Sequence, residues 1–163
     1  MKFLILNNHK LNLNQFPENY HLIAIHSDLD EFRLAFFLNK KLNIGLKRKM
    51  NDIYFSEQDA KYSSYEFLDD TKYLKWIFFS NKSLVFEKTS EENLGLFAQE
   101  NLVQNEISLL RGQKSVDYFL IIENIANKTY IEKVLKKISE ISGVITSFIS
   151  KNKLENKENL IFS

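Results

Sequence analysis

Residues 20–43, YHLIAIHSDLDEFRLAFFLNKKLN, decide the fold, because an apolar strand there runs directly into a helix that is apolar almost all the way round. Tyr20 to His26 is a nearly continuous apolar run, which predicts a strand covered on both faces and places it in the centre of a sheet. Ser27 or Asp28 is expected to cap the following helix, with Asp30 or Glu31 three residues on completing a box-like pair. The helix is expected from Leu29 to Leu42. Around it, Phe32, Ala35, Phe36 and Leu42 cover one broad face and Leu34, Phe37 and Leu38 another, leaving Arg33 and Lys40 on a narrow wet strip. Such a helix is expected to be buried on more than one side.

Working outward, Gly45 is the expected helix terminator, and Asp52 to Phe55 a short strand. From Ser63 to Glu87 the pattern becomes YEFL, a turn at Asp69-Asp70-Thr71, YLKWIFF, a turn at Ser80-Asn81-Lys82-Ser83, and LVFE. That alternation predicts an antiparallel meander. Leu94 to Ala98 is expected to add a further short strand, residues 99–113 carry little periodic signal, and Val116 to Ile122 reads as a strong strand. Thr129 and Glu132 are spaced as a capping box, and Ile131, Val134, Leu135, Ile138, Ile141, Ile145, Phe148 and Ile149 repeat at helical spacing, predicting a second helix over 129–150.

Both helices need an apolar sheet face, so the expected class is α+β: a two-layer sandwich with a mostly antiparallel sheet of about five to seven strands and two helices on one face. A ferredoxin-like arrangement is the nearest standard alternative. Residues 1–150 are expected to form one domain and residues 151–163 a flexible polar tail.

At 163 residues, 44% hydrophobic, the chain is long enough for one well-filled core. Fourteen Phe against four Gly argue against a glycine-rich phosphate cradle. A net charge of +1 supplies no general attraction to nucleic acid or an anionic membrane, and the absence of Cys removes disulfides, thiolate nucleophiles and Cys-ligated metals. MKFLIL is too short for a signal core, and no apolar run approaches the roughly 20 residues of a membrane span, so a cytoplasmic location is expected.

His26-Ser27-Asp28, at the strand-to-helix corner, is the one grouping with the look of chemistry. The simpler reading makes Ser27 and Asp28 caps and His26 a strand-end residue. Asn39 lies among apolar positions and needs buried partners, and Asp117, inside an apolar strand, needs Arg33, Arg48, Arg111 or a lysine. His26, Asp28, Asn39 and Asp117 are the ligand-binding candidates. Lys40, Lys41, Lys47, Arg48 and Lys49 form the densest basic patch, a modest phosphate footprint if they converge. His9, His21 and His26 are too dispersed for a metal site, none of the common catalytic motifs is present, and no cofactor is expected.

HLIAIHSDLDEFRLAFFLNKKL, the expected hairpin at Asn81-Lys82 and VDYFLII together resemble the bacterial IPExxxVDY family over most of residues 19–124. Val116-Asp117-Tyr118 keeps the end of that signature, while Arg111 and Gly112 replace its Pro and Glu. The resemblance implies a cytoplasmic housekeeping protein, encoded near acyl carrier protein, a ketoacyl synthase and ribonuclease III, without an assigned activity. Large apolar capacity without a catalytic motif therefore favours a non-catalytic binding or adaptor module for a protein partner or for self-association. The alternatives are an RNA-associated accessory protein using residues 40–49 and a small enzyme with a His26/Asp28 site.

Overall fold

The computed structural model describes residues 20–55, 58–88, 102–125 and 127–151. Tyr20–Ser27 forms β1, with Leu22 to Ile25 all buried, as a run with apolar side chains on both faces requires. Glu31–Leu42 forms α1. Its cap is Asp30, whose side chain accepts from the Arg33 amide at 2.8 Å, and not Ser27 or Asp28. The Ser27 hydroxyl is occupied one turn earlier, accepting from Leu29 N at 3.1 Å and donating to Gly143 O at 2.7 Å. α1 stops at Asn43, in the left-handed conformation with φ 55°, two residues before the expected Gly45.

Lys47–Arg48 (β2), Ser64–Asp69 (β5), Leu74–Ser80 (β6) and Tyr118–Glu123 (β9) join β1 and Val144–Ile149 (β10) in a six-stranded antiparallel sheet of order β10-β1-β9-β6-β5-β2. Lys128–Ser139 forms α2. The chain passes from β1 through α1 and then residues 47–69 to β6, and from β9 directly through α2 to β10, and each time the two strands named run parallel with another strand between them. Crossovers of the usual right hand put both helices on one face. Leu34 and Leu38 of α1 and Ile131, Val134 and Ile138 of α2 indeed share a buried cluster with Ile23, Trp76, Phe78 and Leu120 of the sheet. The class is α+β, and the four strands β10-β1-β9-β6 have the order of the ferredoxin-like βαββαβ motif.

The opposite sheet face is buried as well. Leu22, Ala24, Phe79, Phe119 and Ile121 pack against Ile53 of β3 (Ile53–Phe55), Ala60 and Tyr62 of β4 (Ala60–Tyr62), and Leu109 and Leu110. All six residues of β9 are buried, so the strand at the centre is covered from both sides. Each large apolar side chain enclosed there contributes about 1.5–3 kcal/mol.

Four expectations fail for identifiable reasons. Phe32 is 72% exposed and Phe36 58%, so α1 is buried on one side only, through Leu34, Ala35 and Leu38. Its helical neighbour among the described residues, α2, lies on the Lys41 side, where Lys41 Nζ stands 3.6 Å from Glu140. The meander breaks after β6: Lys82–Lys88 (β7) leaves the main sheet and pairs with Leu102–Ser108 (β8) in a separate two-stranded sheet. Helix α2 ends at Ser139, and Ile145, Phe148 and Ile149 belong to β10, because the β-branched run VITSFI favours a strand and Gly143, at φ 96°, turns the chain. The cap of α2 is Asn127, whose side chain accepts from Thr129 N and Tyr130 N, in place of the Thr129/Glu132 box. The strand expected at Leu94 to Ala98, residues 152–163 of the tail, and His9 lie outside the described residues.

Glu123, at the end of β9, is buried, and burial raises its carboxyl above the ordinary range, with Lys75 opposing and Glu66 adding to the rise. A raised carboxyl contributes stability below its unfolded value, and that contribution is lost as pH rises through the folded value. Glu123→Gln should therefore have a higher Tm than the parent at pH 7, with the difference vanishing below about pH 4. Thermal melts across that range check it, and equal Tm values at pH 7 would refute it.

Candidate functional site

One end of the main sheet gathers polar chemistry, where β1 and β6 finish and β9 begins. Asp117 is its hub: Oδ2 accepts from Ser27 N at 3.0 Å, Oδ1 lies 2.8 Å from Lys82 Nζ, and His26 Nδ1 stands 3.7 Å from Oδ2. Lys82 also lies 3.5 Å from Glu106, and the Asp117 hydrogen bond holds its ammonium above the ordinary lysine range. Because Asp117 precedes β9, Ser27 ends β1 and Lys82 opens β7, this carboxylate ties three strands together.

Asn81 fixes the same corner from inside. It is fully buried, its Nδ2 donates to Gln113 O at 2.9 Å and Val116 O at 2.8 Å, and its Oδ1 accepts from Leu110 N at 2.9 Å. Its backbone N donates to Asp117 O and its carbonyl accepts from Leu109 N, both at 2.8 Å. This web sends β7 out of the sheet, so the residues read as a hairpin turn are a tertiary anchor.

Of the sequence candidates, His26 and Asp117 meet, whereas Asn39 does not join them. The Asn39 side chain accepts from Leu46 N at 2.7 Å and donates to Leu46 O at 3.0 Å, clamping the loop after α1. Asp28 is exposed at the corner, and its amide donates to Gly143 O at 3.0 Å. His26 lies 6.1 Å from the Phe148 ring, stacked on it. The neighbouring Ser27 hydroxyl donates to Gly143 O and accepts from Leu29 N, so it clasps the corner. His21 bonds Ile125 O at 3.0 Å, and among the described residues no three His, Asp or Glu side chains are placed to hold a metal.

The basic stretch is largely neutralised by its surroundings. Lys41 pairs with Glu140, Arg48 with Asp52, and Lys49 lies 3.8 Å from Glu66. Lys40 and Lys47 are exposed on different elements, α1 and β2.

Two features escape a reading of the sequence. A cleft of about 490 Å³ is walled by Glu31, Arg48, Asp59, Lys61, Ser63 and Lys82, residues from four separated segments. Beyond it, β10 is an edge strand among the described residues, and its sequence VITSFI holds no charge. Ile145 is 65% exposed and Phe148 42%. The only sequence signal for that edge is the density of β-branched residues after Ser142-Gly143.

Comparison with protein-family models, curated proteins and solved structures finds no match to this chain. Among the described residues no helix is long and apolar enough to cross a membrane.

Proposed function

We propose that this protein is a non-catalytic binding module that takes an extended segment of a protein partner along the outer edge of β10. The observation that carries the reading is an uncharged edge strand with Ile145 and Phe148 exposed. Edge strands present unpaired amides and carbonyls, and proteins usually blunt them with Lys, Pro or other charged side chains. From Val144 to Ile149 none of these occurs, and the one irregularity is the register shift that leaves Ile145 between the pairs His26↔Thr146 and Ser27↔Val144. Strand addition uses that geometry, with backbone hydrogen bonds supplying affinity and alternate side chains supplying selectivity.

Which amides face outward follows from the pairing. Ser150 N donates to Leu22 O at 2.8 Å, and the register sets Ala24 opposite Phe148, so the amides of Thr146 and Phe148 point at β1. Those of Ser147 and Ile149 point away. The resemblance to the IPExxxVDY family, resting on the residues quoted above, agrees with a housekeeping adaptor and adds no ligand.

Ser147→Pro tests the reading, because it removes an outward donor without breaking a backbone bond to β1, and its urea unfolding transition reports whether the variant keeps the fold. Partner recovery by the parent chain should be abolished in Ser147→Pro and unchanged in Lys136→Gln, an exposed substitution on α2. A partner bound equally by Ser147→Pro, or no partner bound by the parent, would refute edge docking.

A further inference from the structure

We infer that the cleft beside the first turn of α1 is a binding site for a small ligand carrying two cationic groups and one carboxylate, the charge pattern of a free basic amino acid. Its volume of about 490 Å³ is within the range of small-molecule sites. The ligand class follows from which wall charges are already satisfied. Arg48 is held by Asp52, and Lys82 by Asp117 and Glu106. Glu31, Asp59 and Lys61 remain, and none has an ion-pair partner among the described residues. Asp59 accepts from the Tyr54 hydroxyl at 2.9 Å, a neutral donor that leaves its charge uncompensated, and this carboxylate raises the Tyr54 hydroxyl above its ordinary range.

Among the described residues, two carboxylates and one ammonium therefore stand without an ion-pair partner in one concave space. A ligand with two cationic groups and one carboxylate matches them, whereas a polyanion would meet Glu31 and Asp59. Leu84 is the one apolar side chain among the described lining residues and offers a surface to a methylene chain. Ser63 gives an independent sign. It lines the cleft, is 8% exposed, and its hydroxyl has no hydrogen-bond partner among the described residues. A buried hydroxyl without a partner is costly, and a rotation about χ1 that turns this one toward a polar ligand in the cleft would relieve that cost.

The test is an amide NMR titration of the full chain with L-arginine, L-lysine, glycine and L-glutamate. Arginine and lysine should give saturable shifts at Lys61, Ser63 and Ser83, glycine weaker ones, and glutamate none. Glu31→Gln and Lys61→Met should each weaken arginine binding by about tenfold, the loss of one charge-assisted hydrogen bond, while Arg33→Gln on the exposed side of α1 leaves it unchanged. The amide spectra of the variants report whether they remain folded. Glutamate binding as tightly as arginine, no saturation with arginine below about 10 mM, or full affinity in both folded variants would overturn the assignment.

Discussion

Asn81→Ala should lower the unfolding free energy by about 3–5 kcal/mol, since it strands three backbone groups at once, two of them fully buried. Gln113 O and Val116 O lose the Asn81 amide, and Leu110 N loses its oxygen. Asn81 has no exposed surface, and its bonds to Val116 O and from Leu110 N are buried, so water is poorly placed to replace them. Asn81→Asp should be as damaging, because it keeps an acceptor for Leu110 N but turns a carboxylate toward two carbonyls. Urea unfolding measures both. A loss below about 1 kcal/mol for Asn81→Ala would show that the corner holds together without the web.

Gly143→Ala should cost about 2–3 kcal/mol, from two separate causes. The residue sits at φ 96°, where a side chain is strained, and an added Cβ would stand 2.7 Å from Leu29 Cγ and 2.9 Å from Cδ2. Its carbonyl also receives the Ser27 hydroxyl and the Asp28 amide, so a shift to relieve the clash disturbs the start of α1. Thermal or urea unfolding reads the loss. In the double variant Gly143→Ala/Leu29→Ala the two changes should be less damaging together than their sum, since removing Leu29 opens the space that the new methyl needs.

These two positions also mark where the sequence was legible and where it was not. The apolar run from Tyr20 to His26 signalled a central strand, because only a site covered on both faces tolerates apolar side chains at every position. The α+β class followed from two amphipathic helices needing one floor. Periodicity then misled at the C-terminal end, where Ile145 and Phe148 extend the helical spacing of α2 although a left-handed glycine has already turned the chain. It also cannot say on which flank of a helix a neighbour lies, so Phe32 and Phe36 read as core although they face water. Asn81 looked like an ordinary turn residue because its partners, Leu110, Gln113 and Val116, lie 29 to 35 positions away.

For the functional site, Asp117 could be recognised as a carboxylate needing a partner, but not that Lys82 is that partner. The pairing exists only because β7 departs at Asn81. The cleft was invisible for the same reason, being assembled from the start of α1, the β2 region, β4 and β7. Asn39 was legible as a buried amide seeking backbone, and it bonds Leu46 on both sides of one peptide segment.

Amide hydrogen exchange across Val144 to Ser150 addresses the central claim most directly, that this segment is an open sheet edge beside β1. Protection should alternate, with Thr146, Phe148 and Ser150 slow and Ser147 and Ile149 exchanging far faster in the free protein. Uniform protection of Ser147 and Ile149 along with their neighbours would contradict the account, since it would mean either a helix or an edge already occupied.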